Sequence, residues 1–316
     1  MPAARPPADA PLFIVLNTGS GSQDAGHTRE VIERLLGEAG RRHRVLPVQD
    51  GRRLPAVAWQ AVQEARMQQG IVVAAGGDGT INAVAQAVLG SGLPFGVLPQ
   101  GTFNYFSREY GIPADTESAV RLLLNGRLRS VQVGRVNDRI FLVNASLGLY
   151  PVLLENREDW KRQFGRSRIV ALWAGVVTLL RGHRRMTLEM EHAGRLRTLH
   201  TSTLFVGNNR LQLEQTGLDG ADALNQGRLA ALALRPTGRL AMLWLLARGA
   251  FGRLGAADEV QSFSFSSLRL SVLRRGRRRS RIKVATDGEV SWMRAPIEFR
   301  ALPDALSLIV PDDESA

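Results

Sequence analysis

Apolar and polar positions follow two different styles along this chain. In the first 130 residues, short unbroken apolar runs alternate with stretches of helical spacing. The runs Leu12–Leu16, Arg44–Val48, Ile71–Ala75 and Phe95–Leu98 predict strands. Between and after them, His27–Ala39 (with Val31, Ile32, Leu35 and Leu36 on one face), Leu54–Gln69, Ile81–Leu89 and Thr116–Leu124 predict helices. Strand–helix alternation at this spacing argues for a parallel sheet with helices on both faces. The Pro/Ala-rich residues 1–10 read as a disordered tail.

Near residue 130 the style changes. Val131–Val136 and Arg139–Ala145 are strand-like and joined by Asn137-Asp138, a hairpin signal. Further strand candidates are Met186–Glu191, Leu196–Val206, Leu229–Leu234, Val260–Leu273, Ile282–Thr286, Ile297–Ala301 and Leu306–Val310. Several alternate strictly, as in Phe263-Ser264-Phe265-Ser266, which predicts a mostly antiparallel β domain. Helical inserts are expected at Ser167–Leu180 and Arg239–Leu254. The chain therefore reads as an α/β domain over 11–133 and a β-rich domain over 134–311, with the C-terminal segment able to pack back on the first.

At 316 residues and 44% hydrophobic content, the chain is long and apolar enough for two packed cores. Cysteine is absent, which excludes disulfides, thiolate metal sites and a cysteine nucleophile. The first ten residues lack a signal-peptide h-region, and the longest apolar candidate, Ile169–Leu180, is too short to span a bilayer. A cytoplasmic protein, peripheral on the inner membrane face, is expected. The net charge is +12. Nine Lys/Arg fall between Lys161 and Arg197, and seven fall between Arg274 and Lys283 with no acid among them. Trp160, Trp173 and Trp244 lie in basic, apolar surroundings. Aromatics set among aliphatics favour a membrane surface over nucleic acid as the anionic partner. A homodimer is compatible with the sequence. The five histidines show no ligand spacing and read as surface or packing residues.

The candidate chemistry centres on Gly76-Gly77-Asp78-Gly79-Thr80, between an apolar strand and a helix start. Glycines let backbone approach an anion, and N–H groups at a helix start favour negative charge. A carboxylate in such a turn would repel phosphate by itself, so Asp78 makes sense as a ligand to Mg²⁺ held between carboxylate and phosphate. The alternative is an ordinary helix N-cap. Two more loops at strand ends are rich in turn formers: Asn17-Thr18-Gly19-Ser20-Gly21 and Gln100-Gly101-Thr102. Ligands of parallel sheets bind outside such carboxyl ends. No G-x-x-x-x-G-K-[ST] sequence is present, so backbone must do work that a lysine does elsewhere.

Taken in order, the loop at Asn17, the Gly76–Thr80 turn, Pro99-Gln100-Gly101-Thr102-Phe103-Asn104 and Asp287-Gly288-Glu289 resemble the diacylglycerol kinase and sphingosine kinase catalytic-domain superfamily, most closely its soluble bacterial lipid kinases. The resemblance spans roughly residues 11–311. It implies an α/β nucleotide half and a β-sandwich half with the active site between them, and transfer of the ATP γ-phosphoryl group to a lipid hydroxyl, with Mg²⁺. Diacylglycerol, phosphatidylglycerol or a sphingoid-type lipid would be the acceptor.

Under that resemblance Asn17, Ser20, Gly21, Gly76, Gly77, Gly79, Thr80, Asn82, Thr102 and Asn104 contact nucleotide, Asp78 holds the metal, and Glu289 takes the substrate proton. Asp287 would orient Glu289 or the metal. Partial burial would raise the pKa of Glu289 toward a useful value. Read without the resemblance, Thr102 caps a helix starting at Phe103, and Glu289 is a solvated acid beside a hairpin turn. The chain departs from the family at Val48, Ala83, Tyr105 and Gln226. A neutral amide at 226 is a poor Mg²⁺ ligand and puts a second-domain metal site in doubt. Two rival readings remain at this level: an NAD kinase-like enzyme, and a lipid-binding relative that has lost catalysis.

Overall fold

The structure, a computed structural model, describes residues 5–19, 25–148, 186–192, 195–215, 221–235, 260–274 and 277–312. The chain divides into two compact units, Met1–Val133 with Pro303–Ala316, and Gly134–Leu302. The helical inserts expected at Ser167–Leu180 and Arg239–Leu254 lie outside the described residues.

The first unit is α/β. Strands β1 (Leu12–Asn17), β2 (His43–Val48), β3 (Ile71–Gly76) and β4 (Pro94–Pro99) stand in the order β2-β1-β3-β4, all parallel. The end of the last strand, β17 (Ile297–Val310), adds to β4 in parallel through Ser307 and Leu308. Strands β1 and β3 are buried along their whole length, as unbroken apolar runs require in a sheet covered on both faces. On one face α1 (Ala25–Glu38) and α5 (Thr116–Asn125) bring Ile32, Leu36, Val120 and Leu123 against Ile14, Leu16 and Val73. On the other, α2 (Leu54–Met67) and α3 (Asp78–Val88) pack against each other and against β1 and β3.

Residues 5–10 are not the disordered tail that their composition suggests. Ala10 is buried, and its N–H donates to Pro7 O (3.1 Å). Arg41 Nη2 donates to the same carbonyl (2.9 Å). A cation far along the chain orders a segment whose own residues carry no folding signal.

The second unit is built of antiparallel strands. One sheet runs β12 (Val260–Phe265), β11 (Leu229–Leu234), β10 (Thr203–Gly207), β7 (Asn144–Gly148), β15 (Arg281–Thr286), β16 (Glu289–Arg294). In the other, β13 (Ser267–Arg274) lies between β8 (Met186–His192) and the start of β17, and β9 (Arg195–Thr201) pairs with β8. Leu147, Val206 and Val284 from the first sheet share one core with Leu188, Leu270 and Phe299 from the second, which is the β-sandwich expected. Two short helices, α6 (Arg210–Gln215) and α7 (Ala221–Asn225), place Leu213 and Leu224 over Phe205 and Leu232 on the outer side of β10 and β11.

Several element boundaries differ from expectation. Arg139–Ala145 is not one strand but β6 (Arg139–Phe141) and β7, because the N–H groups of Leu142 and Val143 turn to a carboxylate. Leu196–Val206 divides at Ser202 and Val260–Leu273 at Ser266, where the chain passes from one sheet to the other. Conversely, Ile297–Ala301 and Leu306–Val310 are one strand, with Asp304 at positive φ between them. Residues 303–310 of that strand belong to the first unit, so the second ends at Leu302 rather than at 311.

Candidate active site

In the strand order β2-β1-β3-β4, successive connections leave β1 and β3 to opposite sides, the switch point where ligands of such sheets bind in the crevice outside the carboxyl ends. Asn17 is the last residue of β1 and Gly76 the last of β3. The buried Asn17 side chain ties the loops together. Its Nδ2 donates to Thr80 Oγ1 (2.9 Å), and its Oδ1 accepts from Gly19 N (3.1 Å). Asn17 thus positions the loops, whatever else it touches. Ser20 and Gly21 lie outside the described residues.

The Gly76 turn runs directly into α3. Gly77 is the N-cap, with extended backbone (φ −81°, ψ 179°), and Asp78 is the first helical residue. Ile81 N closes the first helical bond onto Gly77 O (3.0 Å). The N–H groups of Asp78, Gly79 and Thr80 therefore have no acceptor inside the helix, as at any helix start. They point the positive end of the helix into the crevice. Asn82 follows on the same helix, half-buried.

Asp78 is not the N-cap of its own helix. Its carboxylate instead faces the backbone N–H groups of Asn104, Phe106 and Tyr105, which draw its pKa down. These open the short helix α4 (Tyr105–Glu109), whose N-cap residue Asn104 makes no side-chain capping bond. The Asp78 Oδ1 atom is buried with no hydrogen-bond partner. Burial is the largest influence on this carboxyl and pushes its pKa up, against the three N–H donors that pull it down. An acceptor-only oxygen, buried and unpaired, is the kind of atom a hard cation satisfies. Among the described residues no group of three or more His, Cys, Asp or Glu could hold a metal by itself. A cation here would take most of its ligands from phosphate and water.

The third loop locks onto the second. Gln100 N donates to Gly76 O (2.9 Å). A Cβ on Gly101 would sit 2.9 Å from Gly77 Cα and 2.7 Å from Asn104 Oδ1, so the two glycine loops touch backbone to backbone. Asn104, at positive φ, closes the loop with both ends of its amide: Gly101 N donates to Oδ1 (3.0 Å) and Nδ2 donates to Gly101 O (2.9 Å). Its amide therefore holds the loop. Thr102 is exposed and does not cap a helix at Phe103, since α4 starts at Tyr105. Phe103, half-exposed, stacks on Tyr105 with centroids 6.0 Å apart.

Gln100 belongs to the third loop, where the sequence gives it no role of its own. It is buried beside Gly101, and its Nε2 has no hydrogen-bond partner. Only its position before the glycine could have singled it out.

In the second unit, Asp287-Gly288 forms the two-residue turn between β15 and β16, with positive φ at both residues (45° and 89°), the pattern of a type I′ hairpin. The Asp287 carboxylate accepts three backbone N–H bonds: Leu142 to Oδ2 (2.7 Å), Val143 to Oδ1 (2.9 Å) and Asn144 to Oδ1 (2.9 Å). Asp287 N donates to Asn144 O (2.9 Å). This aspartate is a clamp that fixes the turn to the segment between β6 and β7. Glu289 follows as the first residue of β16, cross-strand from Thr286. It is exposed, not partly buried as expected. Gln226 Oε1, the neutral amide noted in the sequence, accepts from Arg228 Nη2 (2.6 Å).

Residues 11–136 match the family described as the diacylglycerol kinase catalytic domain. The chain is 37% identical over 117 residues to a "Probable lipid kinase YegS-like" of Klebsiella pneumoniae (strain 342), covering 36% of this chain and 37% of that protein. It is 32% identical over 185 residues to a "Probable lipid kinase YegS" of Salmonella newport (strain SL254), covering 57% of each. The chain thus spans between about a third and a little over half of the curated relatives it matches. A putative diacylglycerol kinase from Bacillus anthracis str. Sterne has the same fold, with a TM-score of 0.71 at 19% identity, covering 98% of this chain and 99% of that one. Among the described residues no helix is long and apolar enough to cross a membrane.

Proposed function

We propose that this chain, whose residues 11–136 match the diacylglycerol kinase catalytic domain, transfers the γ-phosphoryl group of ATP to the hydroxyl of a lipid, with Mg²⁺. The observation that carries this reading is the Asp78 carboxylate: one oxygen buried without a partner, at the start of a helix inside the glycine-lined crevice. First-turn N–H groups of α3 hold phosphate oxygens, and Asp78 Oδ1 holds the cation. The cation supplies charge neutralisation for the triphosphate. Gln100 Nε2 offers a further donor. Asn17 and Asn104 keep the three loops in register, so the donors meet a bound triphosphate without rearranging.

Glu289 is the base that accepts the hydroxyl proton as the lipid oxygen bonds to the γ-phosphorus and the bond from that phosphorus to the bridging oxygen breaks, releasing ADP. Its support is its place directly after a turn fixed by the Asp287 clamp, within the Asp-Gly-Glu sequence. The acceptor is a glycerolipid or sphingoid alcohol. Incubation with γ-labelled ATP and a total lipid extract, with NAD in a parallel reaction, tests the proposal. Label in a lipid supports it. Label in NAD, or ATP left untouched in the presence of every lipid class, overturns it.

A further inference from the structure

The hairpin β15–β16 has two unlike faces. Ile282, Val284 and Met293 are buried in the sandwich core. Alternation puts Arg281, Lys283, Trp292 and Arg294 on the opposite face. The register sets Arg281 directly across from Arg294, and Lys283 across from Trp292. Lys283 Nζ lies 5.3 Å from the Trp292 ring centroid, and the indole is 55% exposed. β16 is the outermost strand in its sheet order.

Among the described residues, the arginine pair and the exposed indole on this face take no part in the packed core. Two like charges directly opposite each other in a sheet are unfavourable. Arg281 and Arg294 are both exposed, and no acidic side chain among the described residues forms an ion pair with either. An exposed tryptophan on an outer strand invites association. The chain entering β15 adds charge: five arginines and no acid between Arg274 and Arg279.

An indole among cations matches one partner chemistry. Tryptophan settles at the headgroup level of a bilayer, and Lys/Arg are drawn to anionic lipid. We propose that this face of the β15–β16 hairpin docks on an anionic bilayer surface, with Trp292 at the headgroup level and Arg281, Lys283 and Arg294 on lipid phosphates. Nucleic acid fits less well, because base stacking needs an open aromatic face and Lys283 lies over this one. The inference deepens the lipid-substrate reading by naming where the membrane is met, but the docking itself needs no phosphoryl transfer.

The test is sedimentation of the full chain with phosphatidylcholine vesicles, with and without phosphatidylglycerol, at low and high salt. Wild type should bind only the anionic vesicles, and salt should release it. The triple variant Arg281→Gln, Lys283→Gln, Arg294→Gln should bind about 100-fold more weakly, at about five-fold per charge. Trp292→Ser should weaken binding and Trp292→Tyr restore it. Thermal midpoints near wild type confirm the variants' folding, and the conservative tyrosine keeps the test valid if the serine variant fails to fold. Phosphorylation of lipid in detergent micelles should be unaffected in all of them. Triple-variant binding equal to wild type, wild-type indifference to anionic vesicles, or tighter capture by duplex or single-stranded nucleic acid would each overturn the docking surface. Loss of label in every lipid with vesicle binding intact would sink the kinase reading alone.

Discussion

The same dipeptide, Asp-Gly, sits at the heart of both units and does opposite things. Asp78-Gly79 opens a helix, and Asp287-Gly288 closes a hairpin. Each carboxylate faces the backbone N–H groups of a distant segment: residues 104–106 for Asp78, and 142–144, through three hydrogen bonds, for Asp287. The difference lies in what remains. Asp287 divides its bonds between both oxygens, whereas Asp78 keeps a buried oxygen unpaired. A carboxylate with both oxygens engaged by backbone is an anchor. One with a buried oxygen left over carries an unpaid desolvation cost, and such costs persist in folds where a ligand offsets them.

Substitution at the two aspartates should separate these roles. Asp78→Asn keeps the shape and removes the charge, so phosphoryl transfer should fall by at least about 10²-fold. The fold should not suffer. A carboxyl whose pKa is raised by burial favours the folded state at low pH, and that contribution is lost as pH rises through its raised value. At neutral pH the nucleotide-free Asn variant should therefore melt at or above the wild-type temperature. A clear drop in its melting temperature would make Asp78 structural. Glu289→Gln should lower turnover by about 10²–10⁴-fold with stability unchanged. Near-normal turnover in that variant would remove Glu289 from the mechanism.

At the other aspartate the pattern should invert. Asp287→Ala leaves three N–H groups without an acceptor and strains the positive-φ position. It should destabilise the protein by about 2–3 kcal/mol, read from the denaturation midpoint. Its loss of activity should track unfolding at that temperature, not metal concentration.

Smaller effects sharpen the contrast. Gly101→Ala forces apart the two loops that present Asp78, and should cost about 1–3 kcal/mol and weaken nucleotide binding. Asp115 caps α5 by accepting from Ser118 N (2.8 Å), which holds its carboxyl pKa down. Asp115→Ala should remove about 1 kcal/mol without touching turnover. Because the folded pKa is lowered, that stability is present above the ordinary carboxylate value and disappears as pH falls through the lowered one. Wild type and variant should therefore converge in acid.

The first unit was legible because β1, β3 and β4 are apolar runs followed by turn-forming residues, and its helices are amphipathic. The second was less so, for reasons that parity makes visible. In β9 the buried positions are Leu199 and Thr201, but after Ser202 they are Leu204 and Val206. From β12 to β13 the buried set moves from Phe265 to Leu268, Leu270 and Val272. One residue between sheets flips which side chains face the core, and composition does not register the flip. The break at Leu142 is harder still, since its cause, Asp287, lies 145 residues away. At the candidate site the glycine turn and its aspartate were readable from residue type. That Asn17 and Asn104 serve as ties, that Asp78 faces the start of α4, and that Gln100 Nε2 is left unpaired all depend on contacts between loops.

Calorimetric titration of ATP into the protein, with and without Mg²⁺, for wild type and Asp78→Asn, addresses the unpaired oxygen directly. Wild type should bind ATP far more tightly with Mg²⁺ present, and the Asn variant should lose that dependence while still folding. Equal Mg²⁺ dependence in the two proteins would contradict the role assigned to Asp78.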